Sequence, residues 1–151
     1  MTTKRIGRRI ELVARDVLLA AEYAVHVTSP PQRRGPIWHG NDIFGAYDLI
    51  AYRENEPIRF IQVTADGSIG RKIAKIEDLP CSPHIQSEIW RYVGGNPRRY
   101  DGRATSRTKR EGTATRSRAQ EFVIYRRIDS IVGHEWRQTE RIRIKTAAPR
   151  T

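Results

Sequence analysis

Cysteine is nearly absent: Cys81 is the only one in 151 residues. An internal disulfide framework and a multi-cysteine zinc site are therefore both excluded, and a single thiol fits a reducing compartment. Long apolar runs are missing too. No stretch approaches the ~20 apolar residues of a membrane-spanning helix, and the opening MTTKRIGRRIELVARD is charged from Lys4 with no signal-type apolar core. A cytoplasmic protein without a membrane partner is the expectation. Acidic residues are scarce beside basic ones, 17 Asp and Glu against 28 Lys and Arg, which leaves a net charge of +11. Solubility alone needs a net charge of about 2–8 in a small domain. The surplus points to a polyanion, nucleic acid before an anionic membrane surface.

What is present reads as a single domain over residues 1–151, long enough for one buried core and not for two. Ile6, Ile10, Val13, Val17, Ala20, Ala21 and Ala24 recur at three- and four-residue steps and predict a helix over 5–24. VHVTS (25–29) is a short strand, and the basic stretch 30–41, opened by Pro30-Pro31, reads as an irregular connection. Strands over 45–53 and 58–65 flank the turn-forming ENEP and make a hairpin. Residues 68–79 predict a helix capped by Ser68 with Ile69, Ile73 and Ile76 as its apolar face. Further strands follow over 84–93, 120–128 and 134–145, the last alternating Trp136, Ile142 and Ile144 with Arg137, Arg141, Arg143 and Lys145. The order gives an α/β fold: a mixed central sheet flanked by helices, with a C-terminal β-hairpin extension.

Residues 97–119 stand apart. They hold eight basic residues, two acidic ones and no aliphatic residue larger than alanine, the composition of a mobile loop that cannot enter a core. Arg98, Arg99, Arg103, Arg107, Lys109, Arg110, Arg116 and Arg118 are candidates for phosphate contact. With Tyr100 the only aromatic there, a stacking platform for single strands is not evident. Phosphate contacts position a nucleic acid without reading its sequence.

The candidate chemistry lies in NDIFGAYDLIAYRENEPIRFIQVTADGSIGRKIAK (41–75). Asp48 immediately precedes the apolar run Leu49-Ile50-Ala51, and Gln62 interrupts Phe60-Ile61-Val63 fourteen positions later. A hairpin of that length sets the two side by side. Hydrolysis of a phosphodiester near neutral pH needs charge stabilisation and an activated water, and Mg²⁺ supplies both. Mg²⁺ takes hard oxygens, one or two carboxylates with waters and phosphate completing the octahedron. Asp48 is the first candidate ligand, Gln62 offers an amide oxygen, Asp42 a second carboxylate, and Glu11 on the first helix an outer ligand or a water-orienting group. The plain alternatives are a turn-capping Asp48, a solvated Gln62 and a Glu11 paired with Arg8 or Arg15.

A helix bearing Glu, a strand opening on Asp, a strand ending in a polar-x-polar triplet and then a helix resembles the PD-(D/E)xK nuclease superfamily, its Holliday-junction resolvases above all. The resemblance covers about residues 5–93. It implies a restriction-endonuclease-like core, Mg²⁺ or Mn²⁺ as cofactor, and DNA rather than RNA as substrate, including branched or structured DNA. It also raises a homodimer, since a junction resolvase cuts two symmetry-related strands. The departure is in the triplet: the family's acidic-x-Lys is here Gln62-Val63-Thr64. Lys72 and Lys75, three apart on one face of the following helix, are candidates to restore the missing cation. Two alternatives stay open: a non-catalytic DNA- or RNA-binding protein on the same scaffold, and a ribosome-associated or other structural RNA-binding module.

Overall fold

Ile10, Ala14 and Leu18 stand at four-residue steps along the first helix, and burying that stripe is what commits the segment to a helix. The computed structural model describes residues 3–30, 32–65, 67, 69–94 and 120–144. Helix α1 spans Thr3–Ala20, so it ends four residues before the expected Ala24. The stop is a Schellman arrangement: Tyr23 N–H bonds the Leu18 carbonyl at 3.1 Å, Glu22 N–H bonds that of Leu19 at 3.0 Å, and Glu22 sits left-handed at φ 65°. Glycine normally fills that position because it carries no Cβ penalty. Glu22→Gly is therefore expected to raise stability by about 1 kcal/mol, read as a higher urea midpoint at unchanged slope.

The freed residues enter β1 (Ala24–Val27). Residues expected to be irregular form a small ribbon of β2 (Gln32–Arg34) and β3 (Ile37–His39), reversed at Gly35 with φ 64°. Glycine meets that left-handed turn without strain. Then follow β4 (Leu49–Tyr52), β5 (Ile58–Thr64), α2 (Gly70–Glu77) and β6 (Ile85–Val93). The cap of α2 is Ile69, without a side-chain cap, and Ser68 lies outside the described residues. Strands β7 (Glu121–Ser130) and β8 (Gly133–Arg143) complete the sheet. The basic stretch 97–119, with all eight of its candidate phosphate contacts, also lies outside the described residues.

The fold is α/β: the described residues form a mixed six-stranded sheet in the order β1-β4-β5-β6-β7-β8, the β2–β3 ribbon and two helices. Among the described strands only β5 and β6 run parallel, because α2 carries the chain back between them. Helix α1 covers one face over Leu49, Ala51, Ile61, Val63, Trp90 and Phe122, while Ile76 of α2 covers Phe60 and Ile89 on the other. With helices on both faces, β5 is buried from Arg59 to Thr64 and reads as a continuous apolar run broken by polar residues that need a reason. The alternation expected over 134–145 fails at one point. Gln138 pairs with Tyr125 and Glu140 with Ile124, so Thr139 is an extra, bulged residue. Trp136 consequently packs on the α2 side and Ile142 on the α1 side. No helix among the described residues is long and apolar enough to cross a membrane.

Candidate functional site

Asp48 is clamped by its backbone before its side chain does anything. Its N–H bonds the Ile61 carbonyl at 2.9 Å, and its own carbonyl accepts Thr28 N–H at 2.9 Å. The residue thus sits between the end of β1 and the middle of β5, opening β4. Strands β4 and β5 pair Leu49 with Ile61, so Asp48, just before the first, and Gln62, just after the second, are neighbours. Both are buried. Asp48 Oδ2 accepts Val63 N–H at 2.8 Å and a hydrogen bond from Gln62 Nε2. The same Gln62 nitrogen also donates to the Val63 carbonyl at 3.1 Å.

That leaves Gln62 Oε1. It is buried, its residue only 3% exposed, and it has no hydrogen-bond partner among the described residues. An unsatisfied buried acceptor costs roughly 1–3 kcal/mol. The plain alternative for Gln62, a solvated amide on a wet face, does not apply, because helix-packed layers cover both sides of the strand.

Burial pushes the Asp48 carboxyl up to about 7; the Val63 N–H opposes the shift, the negative charges of Glu11 and Asp42 add to it, and Lys72 opposes it. Glu11 belongs to the same electrostatic group. Burial raises its carboxyl, Arg8 opposes this by a 2.9 Å hydrogen bond and by charge, Asp42 adds to it, and Lys72 lowers it. The structure therefore brings Asp48, Gln62, Glu11, Asp42 and Lys72 to one place, from α1, the β3–β4 connection, β4, β5 and the first turn of α2. Lys75 is exposed in the last turn of α2 and is not among the main charges acting on Asp48. Three carboxyl groups against Lys72 and Arg8 leave the ionised group one charge negative.

Arg8 and Thr28 are contributors that motif spacing alone did not bring forward as site residues. Arg8 Nη1 reaches the Thr28 carbonyl at 2.5 Å while holding Glu11, so it ties α1 to the strand end beside Asp48. The i,i+3 spacing of Arg8 and Glu11 signalled the ion pair; the second bond, across twenty residues, has no local signal.

A hard divalent cation fits the donor set. Asp48 supplies a carboxylate in need of a counter-charge, and Gln62, whose amide nitrogen touches that carboxylate, supplies an oxygen with no hydrogen-bond partner among the described residues. Glu11 and Asp42 act as charges around that pair and do not join it in a tight cage: among the described residues, no three His, Cys, Asp or Glu side chains converge closely enough to hold a metal by themselves. Two protein oxygens with waters and substrate phosphate is the coordination Mg²⁺ ordinarily accepts. Comparisons with known proteins add no further constraint, for no family model, no curated protein and no solved structure matches this chain.

Proposed function

We propose that this chain is a Mg²⁺- or Mn²⁺-dependent endonuclease of the PD-(D/E)xK type, with a restriction-endonuclease-like core, that hydrolyses phosphodiester bonds of DNA, branched or structured DNA included. The observation that carries the reading is the buried Asp48 carboxyl, pushed up to about 7, bonded by the amide of Gln62, whose Oε1 has no hydrogen-bond partner among the described residues. A buried acid and an orphaned acceptor both cost stability, and a site that binds a cation is where such costs are retained. The net charge of +11 agrees with a polyanionic substrate.

Asp48 and Gln62 would hold the cation, which supplies Lewis acidity and a water acidic enough to attack at neutral pH. Glu11, with its proton affinity raised by burial, accepts a hydrogen bond from the attacking water and orients it. Asp42 adds negative charge that favours the divalent ion. Lys72, half-buried in the first turn of α2, faces the charge that grows on the phosphate toward the transition state. Losing one such contact typically costs about 10²–10³ in rate.

One observation favours the second reading, a DNA- or RNA-binding protein on the same scaffold: the acidic groups do not close into a three-ligand cage among the described residues. Lys72 separates the two readings. Lys72→Met keeps most of the aliphatic stem, so turnover should fall by about 10² while DNA affinity changes less than about threefold. Lys75→Met should behave as a surface change in both assays. Equal turnover for Lys72→Met, Lys75→Met and the parent would remove lysine from the chemistry and move the balance to the binding protein.

A further inference from the structure

Arg91 is the one half-buried arginine on the site's face of the sheet for which no counter-charge is found among the described residues. The register places it. In the parallel β5–β6 pair, Gln62 lies beside Ile89 and uncharged Thr64 lies beside Arg91. Trp90 and Tyr92 pack into the α1-side core and Ile89 into the α2-side cluster, so Arg91 turns to the α2 side, the side of Gln62 and Thr64. Its Nη2 reaches 4.0 Å from the point where a Cβ on Gly67 would stand, past the end of β5 and over the segment leading to α2.

The other inward arginines are already committed. Arg8 is paired with Glu11, Arg59 and Arg126 with Glu88, and Arg127 with Asp129. Lys72 lies in the field of Asp48 and Glu11. A guanidinium that has shed part of its water and has no carboxylate among the described residues suits an anion, and its planar fork matches two phosphate oxygens.

We propose that Arg91 binds a backbone phosphate of the nucleic acid entering the Asp48–Gln62 site, supplying from β6 the cation that β5 lacks at Thr64. The proposal deepens the nuclease reading and rests on it for the cleavage effect, though not for the phosphate contact. Arg91→Gln, Arg91→Lys, Arg91→Met and the surface control Arg15→Gln are compared with the parent on a fluorescein-labelled duplex and a four-way junction. Binding is measured in EDTA across a salt series, and cleavage with Mg²⁺ or Mn²⁺.

Arg91→Gln should flatten the slope of log affinity against log salt by about one unit, uniformly across sequences, and lower turnover by about 10². Arg91→Lys should recover the slope and only part of the turnover, because an ammonium lacks the fork. Should Arg91→Gln fold poorly, Arg91→Met, which keeps the stem in place, carries the same expectations. A parent that cuts neither substrate with either metal defeats the nuclease reading, and the salt slope alone then decides Arg91. Slopes and turnover equal to those of the parent and Arg15→Gln would make Arg91 an ordinary solvated strand residue and overturn the proposal.

Discussion

Asp48→Asn is expected to lower metal-dependent cleavage by at least about 10² and, at pH 8, to make the protein more stable. The two effects have one cause. The folded state raises the Asp48 carboxyl from 3.8 to about 7, so between those values it keeps a proton that the unfolded chain has released. Stability from this group is therefore fully present below about pH 4 and is lost as pH rises through about 7. Above that range the deficit is on the order of 4 kcal/mol, from about three pH units at 1.36 kcal/mol each. Asparagine cannot ionise. Its carbonyl still accepts the Val63 N–H. Thermal melts from pH 5 to pH 8 should show parent and variant converging at the acid end and separating by several degrees at the alkaline end. Added Mg²⁺ should raise the parent's midpoint at pH 8 and leave that of Asp48→Asn in place, because only the parent gains by binding it. Parallel melting curves at every pH would show that Asp48 is not a buried acid.

The largest loss of stability is expected from Glu88→Ala, on the opposite face of the sheet. Glu88 is fully buried and accepts hydrogen bonds from Arg59 Nε and Nη2, the latter at 2.7 Å, from Arg126 Nε at 2.8 Å and from the Trp90 indole at 2.7 Å. Arg59 is itself 7% exposed and packs its guanidinium 5.1 Å from the Tyr23 ring centroid and 5.5 Å from that of Trp90. Removing the carboxylate strands that cation in an apolar layer, a change that costs about 3–5 kcal/mol. Against a typical total of about 5–15 kcal/mol, the variant should sit near its unfolding midpoint in modest urea. The double change Glu88→Met with Arg59→Met should recover much of the loss, since the buried cation goes with its partner and Arg126, less deeply buried, keeps Glu140 at 3.4 Å. A Glu88→Ala midpoint within about 1 kcal/mol of the parent would show that water or a rearranged partner satisfies Arg59.

The Asp48–Gln62 pair was legible because a hairpin is local. Once ENEP turns the chain, the register that pairs Leu49 with Ile61 brings Asp48, just before the first, beside Gln62, just after the second. What no alternation displayed was the second covered face. Gln62 reads as a solvated polar position until α2 is known to pack over Phe60 and Ile89. The choice between Lys72 and Lys75 was equally closed to periodicity, since residues three apart share a face; the entry of α2 beside Asp48 separates them. The Arg59–Glu88–Arg126 network left no trace in the sequence because its members meet across a parallel crossover and a long connection. The same crossover aligns Arg91 with Thr64. The β2–β3 ribbon went unread because Pro30-Pro31 and a run of exposed polar residues hide three-residue strands. Glu22 concealed the end of α1 by occupying a position where glycine would have announced it.

The most direct measurement incubates the purified protein and Asp48→Asn with linear duplex, single-stranded and four-way-junction DNA in Mg²⁺, in Mn²⁺ and in EDTA. Cleavage of at least one substrate by the parent, dependent on the divalent ion, abolished by EDTA and reduced at least about 10² in the variant, is the predicted result. Intact DNA in every lane of the parent, or cutting that survives EDTA or the loss of Asp48, would contradict a metal-dependent nuclease centred on Asp48 and Gln62.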